Sequence, residues 1–167
     1  MHMKIRKAIP ALLFVLALAA LAACSPPFPK ELLARVEADA PFPALFREPD
    51  RFIGKLVILG GTIVDTKNLK EGTRIEVLQR PLDSETRPVF TDETGGRFLV
   101  VTQQFLDDGV YQRGRPITVI GEVAQPQVLP LGELEYRYPV VHAQALHLWS
   151  PYAGPRFSIG VGVYRGF

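Results

Sequence analysis

From residue 55 to residue 149 the chain is a series of short β-branched runs separated by turn clusters, and this pattern limits it to a mostly β fold. Residues 55–65 are apolar at nearly every position, as in a strand buried on both faces or curling through a small barrel, and Gly60-Gly61 predicts a bulge or sharp bend within it. A turn at Lys67-Asn68 and Lys70-Glu71-Gly72 then leads to residues 73–80. There Ile75 and Val77 alternate with Arg74, Glu76 and Arg80, the mark of a half-exposed strand.

Residues 81–96 read as a loop, with a strand extension near Val89-Phe90. Residues 96–103 form a third strand, with Phe98 and Val100 on one face and Leu99 and Val101 on the other. The period changes over residues 105–113, which predict a short helical turn or connector. Residues 115–123 return to strand and are expected to pair with residues 135–149 across a long loop holding Pro126, Pro130 and Gly132. Three strands, a short helical connector and two more strands is the order of an OB-type barrel. The expectation is therefore an all-β domain, an OB-like barrel of five to six strands, and closure would hide apolar edges. Before it, Leu32, Leu33 and Val36 lie at helical spacing and predict a short amphipathic helix ending before Pro41. Phe42, Leu45, Phe46 and Phe52, scattered among prolines, predict an irregular segment over the core.

The first 24 residues carry a different signal. Lys4, Arg6 and Lys7 precede an apolar stretch over residues 8–20, which closes on Leu21-Ala22-Ala23-Cys24. That stretch is short for a membrane-spanning helix, and small residues before a cysteine suit a peptidase site. The segment resembles the bacterial lipoprotein signal. The resemblance implies diacylglyceryl transfer to the Cys24 sulfur, cleavage before Cys24 and N-acylation of the new terminus, with no other cofactor expected. Cys24 is the only cysteine, so an intrachain disulfide cannot claim it. Ser25 follows where aspartate would, by analogy, favour inner-membrane retention, so an outer-membrane anchor at the periplasmic face is expected. Organisation then reads as a signal peptide (residues 1–23), a lipidated cysteine with a proline-rich tether (24–30), a barrel domain (31–149) and a glycine- and aromatic-rich tail or extra strand (150–167).

Charge narrows the partners. The full chain carries +2, but the leader holds three of the 19 basic residues and none of the 17 acidic ones, leaving −1 for the rest. Bulk attraction to nucleic acid is therefore not expected. A peptide, glycan or envelope protein fits better, and Arg74, Arg80, Arg97 and Tyr111 are the candidate ligand-binding residues for charge and stacking.

Several short segments in consistent order resemble the Slp family of outer-membrane lipoproteins, also called starvation-inducible. They are Gly54-Lys55-Leu56-Val57 with Gly60-Gly61, residues 75–83 (IEVLQRPLD), Gly96-Arg97-Phe98, Phe105-Leu106-Asp107 and residues 111–121 with Gly114-Arg115. The resemblance spans residues 12–149 and implies lipid anchoring in the outer membrane, a compact β domain and no catalytic residues to carry over.

No residue is assigned a catalytic role or a metal. The mature chain offers only His142 and His147 as imidazole bases, and strict alternation would turn them to opposite faces, against a shared metal. Asp107-Asp108-Gly109 lacks the alternating ligands of a calcium loop and reads as a turn. The main reading is a non-enzymatic envelope binding, maintenance or stress module. One alternative is a periplasmic hydrolase using Asp83, Glu85, Asp92 and Glu93 on the 81–96 loop. Another is an assembly factor docking through its C-terminal strand, where Phe157, Ile159, Val161 and Val163 alternate with smaller residues.

Overall fold

The structure is a computed structural model that describes residues 26–38 and 40–151. Cys24, Ser25 and the alternating segment from Phe157 to Val163 lie outside the described residues. Two compact units divide the chain between Leu33 and Ala34. In the first, α1 (Lys30–Leu33) is a single turn, shorter than the helix expected to run toward Pro41. Phe28, within the proline-rich stretch, is buried.

In the second unit five strands close into a barrel: β1 (Leu56–Leu69), β2 (Gly72–Gln79), β3 (Arg97–Thr102), β4 (Pro116–Leu131) and β5 (Leu134–Leu148). Their order around the barrel is β1-β2-β3-β5-β4, with β4 returning to β1. All pairings are antiparallel except β3 with β5. This is the five-stranded OB arrangement, with the β3–β5 contact reduced to three residue pairs, Leu99–Val140, Val100–Val141 and Val101–His142.

Inward-pointing residues account for the closure. Ile75, Val77, Phe98, Val100, Ile117 and Val119 occupy alternate, core-facing positions of β2, β3 and β4 and are fully buried. β2 is half-buried, whereas β3 and the first half of β4 are covered on their other face as well, where Leu99, Thr118 and Ile120 are also buried. β1 pairs with β4 through Thr62 and with β2 from Gly61 onward, so it changes partner at the glycine pair. A Cβ on Gly61 would overlap the Leu78 carbonyl, and one on Gly60 would overlap Leu82. The expected bend is thus at the glycines. The bulge is three residues later, where the register slips between Ile63 and Asp65.

Four further differences from the sequence reading have physical causes. β1 runs on through Lys67 and Asn68 to Leu69 because β2 pairs with it all the way to a two-residue turn. The aromatic segment is ordered: α2 (Phe42–Arg47) begins after the extended Pro41 and carries Pro43 in its first turn, where a missing N–H costs no helical bond, and a 3-10 turn (Pro49–Phe52) follows, itself opened by a proline. Phe42, Leu45 and Phe52 enter the barrel core from these turns. No strand forms at Val89-Phe90; the 81–96 loop carries only the bridge Leu82–Pro88. Finally, Pro126, Pro130 and Gly132 are not in a long loop. They belong to a hairpin in which β4 and β5 stay paired out to Leu131 and Leu134. The 105–113 connector makes one helical turn, with Tyr111 N–H donating to the Asp107 carbonyl at 2.8 Å. Leu106 on this connector is buried in the core.

Candidate functional site

The outer face of β2 and β3 is built from residues that alternate with the core set. Across it, two rows follow from the register. Asp65, Glu76, Leu99 and Val140 form one row, and Lys67, Arg74, Val101 and His142 form the next. Directly opposite positions on β1 and β2 therefore carry like charges, Asp65 against Glu76 and Lys67 against Arg74. Such pairs are mildly destabilising unless something compensates them.

Compensation is uneven. Arg97 donates to Glu76 Oε1 at 2.6 Å, and the Tyr138 hydroxyl donates to the same oxygen at 3.2 Å. The carboxylate raises the Arg97 pKa through this hydrogen bond. Burial, then the neighbouring Glu76 charge, pushes the Tyr138 phenol up from its ordinary value. Lys67 turns to Asp65 at 3.4 Å. Arg74 has no carboxylate within ion-pair distance among the described residues.

The far end of the β4–β5 hairpin extends beyond the part of β4 that pairs with β1 and leans over this face. Its Tyr136 and Tyr138 rings lie 4.6 Å apart, and the Tyr136 hydroxyl accepts from the Arg97 backbone N–H at 2.9 Å. Tyr138, Val140 and Leu99 form a second apolar cluster, joined by Leu129 and Ala124. Between hairpin and sheet lies a groove of about 260 Å3, walled by Arg74, Glu76, Leu99, Leu129, Pro130 and Tyr138, with Asp65 and Lys67 at its β1 side. A second cavity of about 520 Å3 adjoins the Arg74 row near the β1–β2 turn, among Leu69, Glu71, Val101, Gln103 and His142.

Of the four residues singled out from sequence, Arg74 and Arg97 share this face. Arg80 does not. At the end of β2 its guanidinium donates to the carbonyls of Thr91 and Glu93, clasping the 81–96 loop. Tyr111 is on the β3–β4 connector, partly buried against the core, and its carbonyl accepts from Thr66. The predicted quartet is two separate pieces of structure and one pair on a shared face. Sequence reading missed the part played by Glu76, Tyr136 and Tyr138. The Tyr-Arg-Tyr alternation at 136–138, two aromatics on one strand face, was the signal available for the last two.

The loop carboxylates do not converge. Asp83, Glu85, Asp92 and Glu93 are all exposed. Asp83 Oδ1 instead accepts the backbone N–H groups of Glu85 and Arg87, both at 2.9 Å, and so shapes the turn. The histidine expectation is corrected too. The register slips at Gln144, with Gly121 opposite Ala143 and Ile120 opposite Ala145. Ala143, Leu146 and Leu148 pack on the core, which leaves both His142 and His147 on the outer side. Even so, no group of three or more metal-ligating side chains gathers among the described residues. His147 stands edge-on to Trp149 at 4.3 Å, and burial lowers its pKa.

A closed OB-type barrel with a charged and apolar groove over its second and third strands is, as a class, a small β scaffold presenting an outer-face surface. The family model described as the outer membrane lipoprotein Slp family matches residues 21–160, and the chain belongs to that family. Its general kind is thus a membrane-associated lipoprotein of the outer membrane. It is 28% identical over 131 residues to the outer membrane protein Slp of Escherichia coli, covering 77% of this chain and 69% of that one. To the uncharacterized lipoprotein YeaY of the same organism it is 29% identical over 125 residues, covering 75% and 60%. An uncharacterized protein of Haemophilus influenzae is 36% identical over 97 residues, covering 58% and 52%. The chain therefore spans only about half to three-fifths of the length of the last two relatives. Among solved structures, the small single-stranded DNA-binding protein from Streptomyces coelicolor is similar with a TM-score of 0.36 and 18% identity, over 57% of this chain and 92% of that one.

Proposed function

We propose that the chain is a non-enzymatic binding module, anchored through lipid on Cys24 and facing the periplasm, whose working surface is the outer face of β2 and β3 beneath the β4–β5 hairpin. The observation that carries this reading is the groove itself. Apolar side chains and an uncompensated Arg74 line a concavity on the face that OB-type barrels use for ligands. The dispersal of the 81–96 carboxylates, with Asp83 committed to its own turn, favours this reading over a hydrolase built on that loop.

The test is site-specific photocrosslinking in intact envelopes. A crosslinker placed at Leu134, exposed at the hairpin tip, is expected to capture a partner that one at Ser84, on the far loop, does not. Equal capture from both positions, or none from Leu134, would falsify the assignment of the face. The anchor is checked separately: Cys24→Ala should release the protein from membrane fractions, and Ser25→Asp should move it to the inner membrane. Protection from external protease until the outer membrane is permeabilised is the outcome expected of a periplasm-facing domain.

A further inference from the structure

We propose that the groove under the β4–β5 hairpin takes the free C-terminal carboxylate of a peptide ending in an apolar residue, with Arg74 as the anion-binding side chain. The inference rests on the reading of this face as the binding surface and adds the ligand class. Three observations converge on it.

The first is charge. Lys67 and Arg74 stand directly opposite each other across β1 and β2, and among the described residues only Lys67 of the two has an acidic partner. An anion placed on Arg74 would relieve the like-charge pair and meet a planar guanidinium suited to two parallel hydrogen bonds with a carboxylate. Arg74 is also half-buried, so its charge is less screened than that of a fully exposed arginine.

The second is the commitment of the other polar groups. Glu76 already accepts from Arg97 and from Tyr138, and Asp65 is held by Lys67. Of the four charged side chains along the groove, Arg74 is the one without an ionic partner among the described residues, so the polar contact left for a ligand to make is with an anion. One anionic contact beside an apolar wall of Leu99, Leu129 and Pro130 matches a carboxylate attached to a hydrocarbon side chain.

The third is size. At about 260 Å3 the groove falls below the range of roughly 300–1,000 Å3 usual for a whole drug-sized ligand. It fits the end of a chain. The larger cavity is lined by Val101 and His142, which share the Arg74 row, and so lies on the side of Arg74 toward the β1–β2 turn, the direction in which the preceding peptide residues would run.

The experiment titrates the full-length acylated protein, in detergent micelles, with acetyl-Ala-Leu as the free acid, with its C-terminal amide and with galacturonic acid. The free acid should bind at least tenfold more tightly than either, the ratio of one charge-assisted contact. Arg74→Gln should abolish the preference for acid over amide, and Arg74→Lys should keep part of it, with unchanged Trp149 emission showing that both variants are folded. Equal binding of acid and amide, an undiminished preference in Arg74→Gln, or galacturonic acid binding as tightly as the peptide would each overturn the proposal. Capture at Leu134 by crosslinking without any acid preference would sink this inference and leave the binding face standing. Absence of both would sink the two together.

Discussion

The hydrogen bonds that converge on Glu76 allow a quantitative test of how the hairpin is held to the sheet. Tyr138→Phe removes one hydroxyl and keeps the ring, which is 2% exposed and packed 4.6 Å from Tyr136. Because Glu76 retains Arg97, the loss should be that of an ordinary hydrogen bond, about 1 kcal/mol. Arg97→Met takes away the stronger partner. A pair broken deep in a protein costs several kcal/mol and one on the surface less than about 1 kcal/mol; the side chains here are 31% and 21% exposed, so roughly 1–2 kcal/mol is expected. In the Arg97→Met background the Tyr138 hydroxyl becomes the remaining donor to Glu76 Oε1 among the described residues. Its removal should then cost about 0.5–1 kcal/mol more than in the parent chain. Urea unfolding can be followed by the emission of Trp149, the single tryptophan, whose indole N–H donates to Thr118 at 2.9 Å. Additivity of the two substitutions within about 0.3 kcal/mol would show that the donors do not act through one shared acceptor, and Glu76 could not be the point that holds the hairpin to the sheet.

Gly61→Val should lower the melting temperature, with a cost of roughly 1–3 kcal/mol or more, since a side chain there meets the Leu78 backbone where β1 changes partners; calorimetry reads this directly. Burial lowers the folded-state pKa of His147, so the unfolded chain binds the extra proton first. Stability from this group is complete above about pH 6.5 and falls as pH drops from there toward the depressed folded value; His147→Gln should flatten that limb in unfolding curves. The Tyr138 shift has the opposite sign: a raised folded pKa gives stability that is full below about pH 10 and is lost as pH rises beyond it, and Tyr138→Phe should remove that alkaline limb. Arg80→Ala should leave the barrel folded but speed proteolytic cutting within residues 81–96, because the guanidinium donates to two carbonyls of that loop; unchanged cutting would count against the clasp.

The barrel was legible in the sequence because its core side is enforced by burial. Ile75 and Val77, or Phe98 and Val100, must alternate with outward residues whatever the loops do. The hairpin was not legible, because Pro126, Pro130 and Gly132 are ordinarily signs of a loop. They are tolerated here for a local reason. The β1 side of β4 is hydrogen-bonded only as far as Val123, so Pro126 and Pro130 lie where that edge carries no further ladder, and Pro126 falls within the register irregularity between Ala124 and Gln127, where a missing N–H is tolerated. The histidine faces were misread for a related reason: one slip of register at Gln144 reverses every outward assignment after it, and residue spacing alone carries no trace of the slip.

The same logic explains why the groove had to be seen to be found. In β1, Ile63 is opposite Val77, and without the irregularity that follows it Ile75 would face Asp65. The one-residue slip places Asp65 opposite Glu76 and Lys67 opposite Arg74, on the outer face, and leaves Thr66 opposite Ile75, where its hydroxyl donates to the Tyr111 carbonyl at 2.7 Å. A single extra residue thus keeps two charges out of the core and at the same time assembles the like-charge rows that make Arg74 available. Strand stability alone would favour opposite charges at those positions. Asp65 and Glu76 are offset by Lys67 and Arg97, so of the two like-charge pairs it is Arg74 that the barrel itself leaves uncompensated among the described residues, which is the charge the proposed carboxylate would meet.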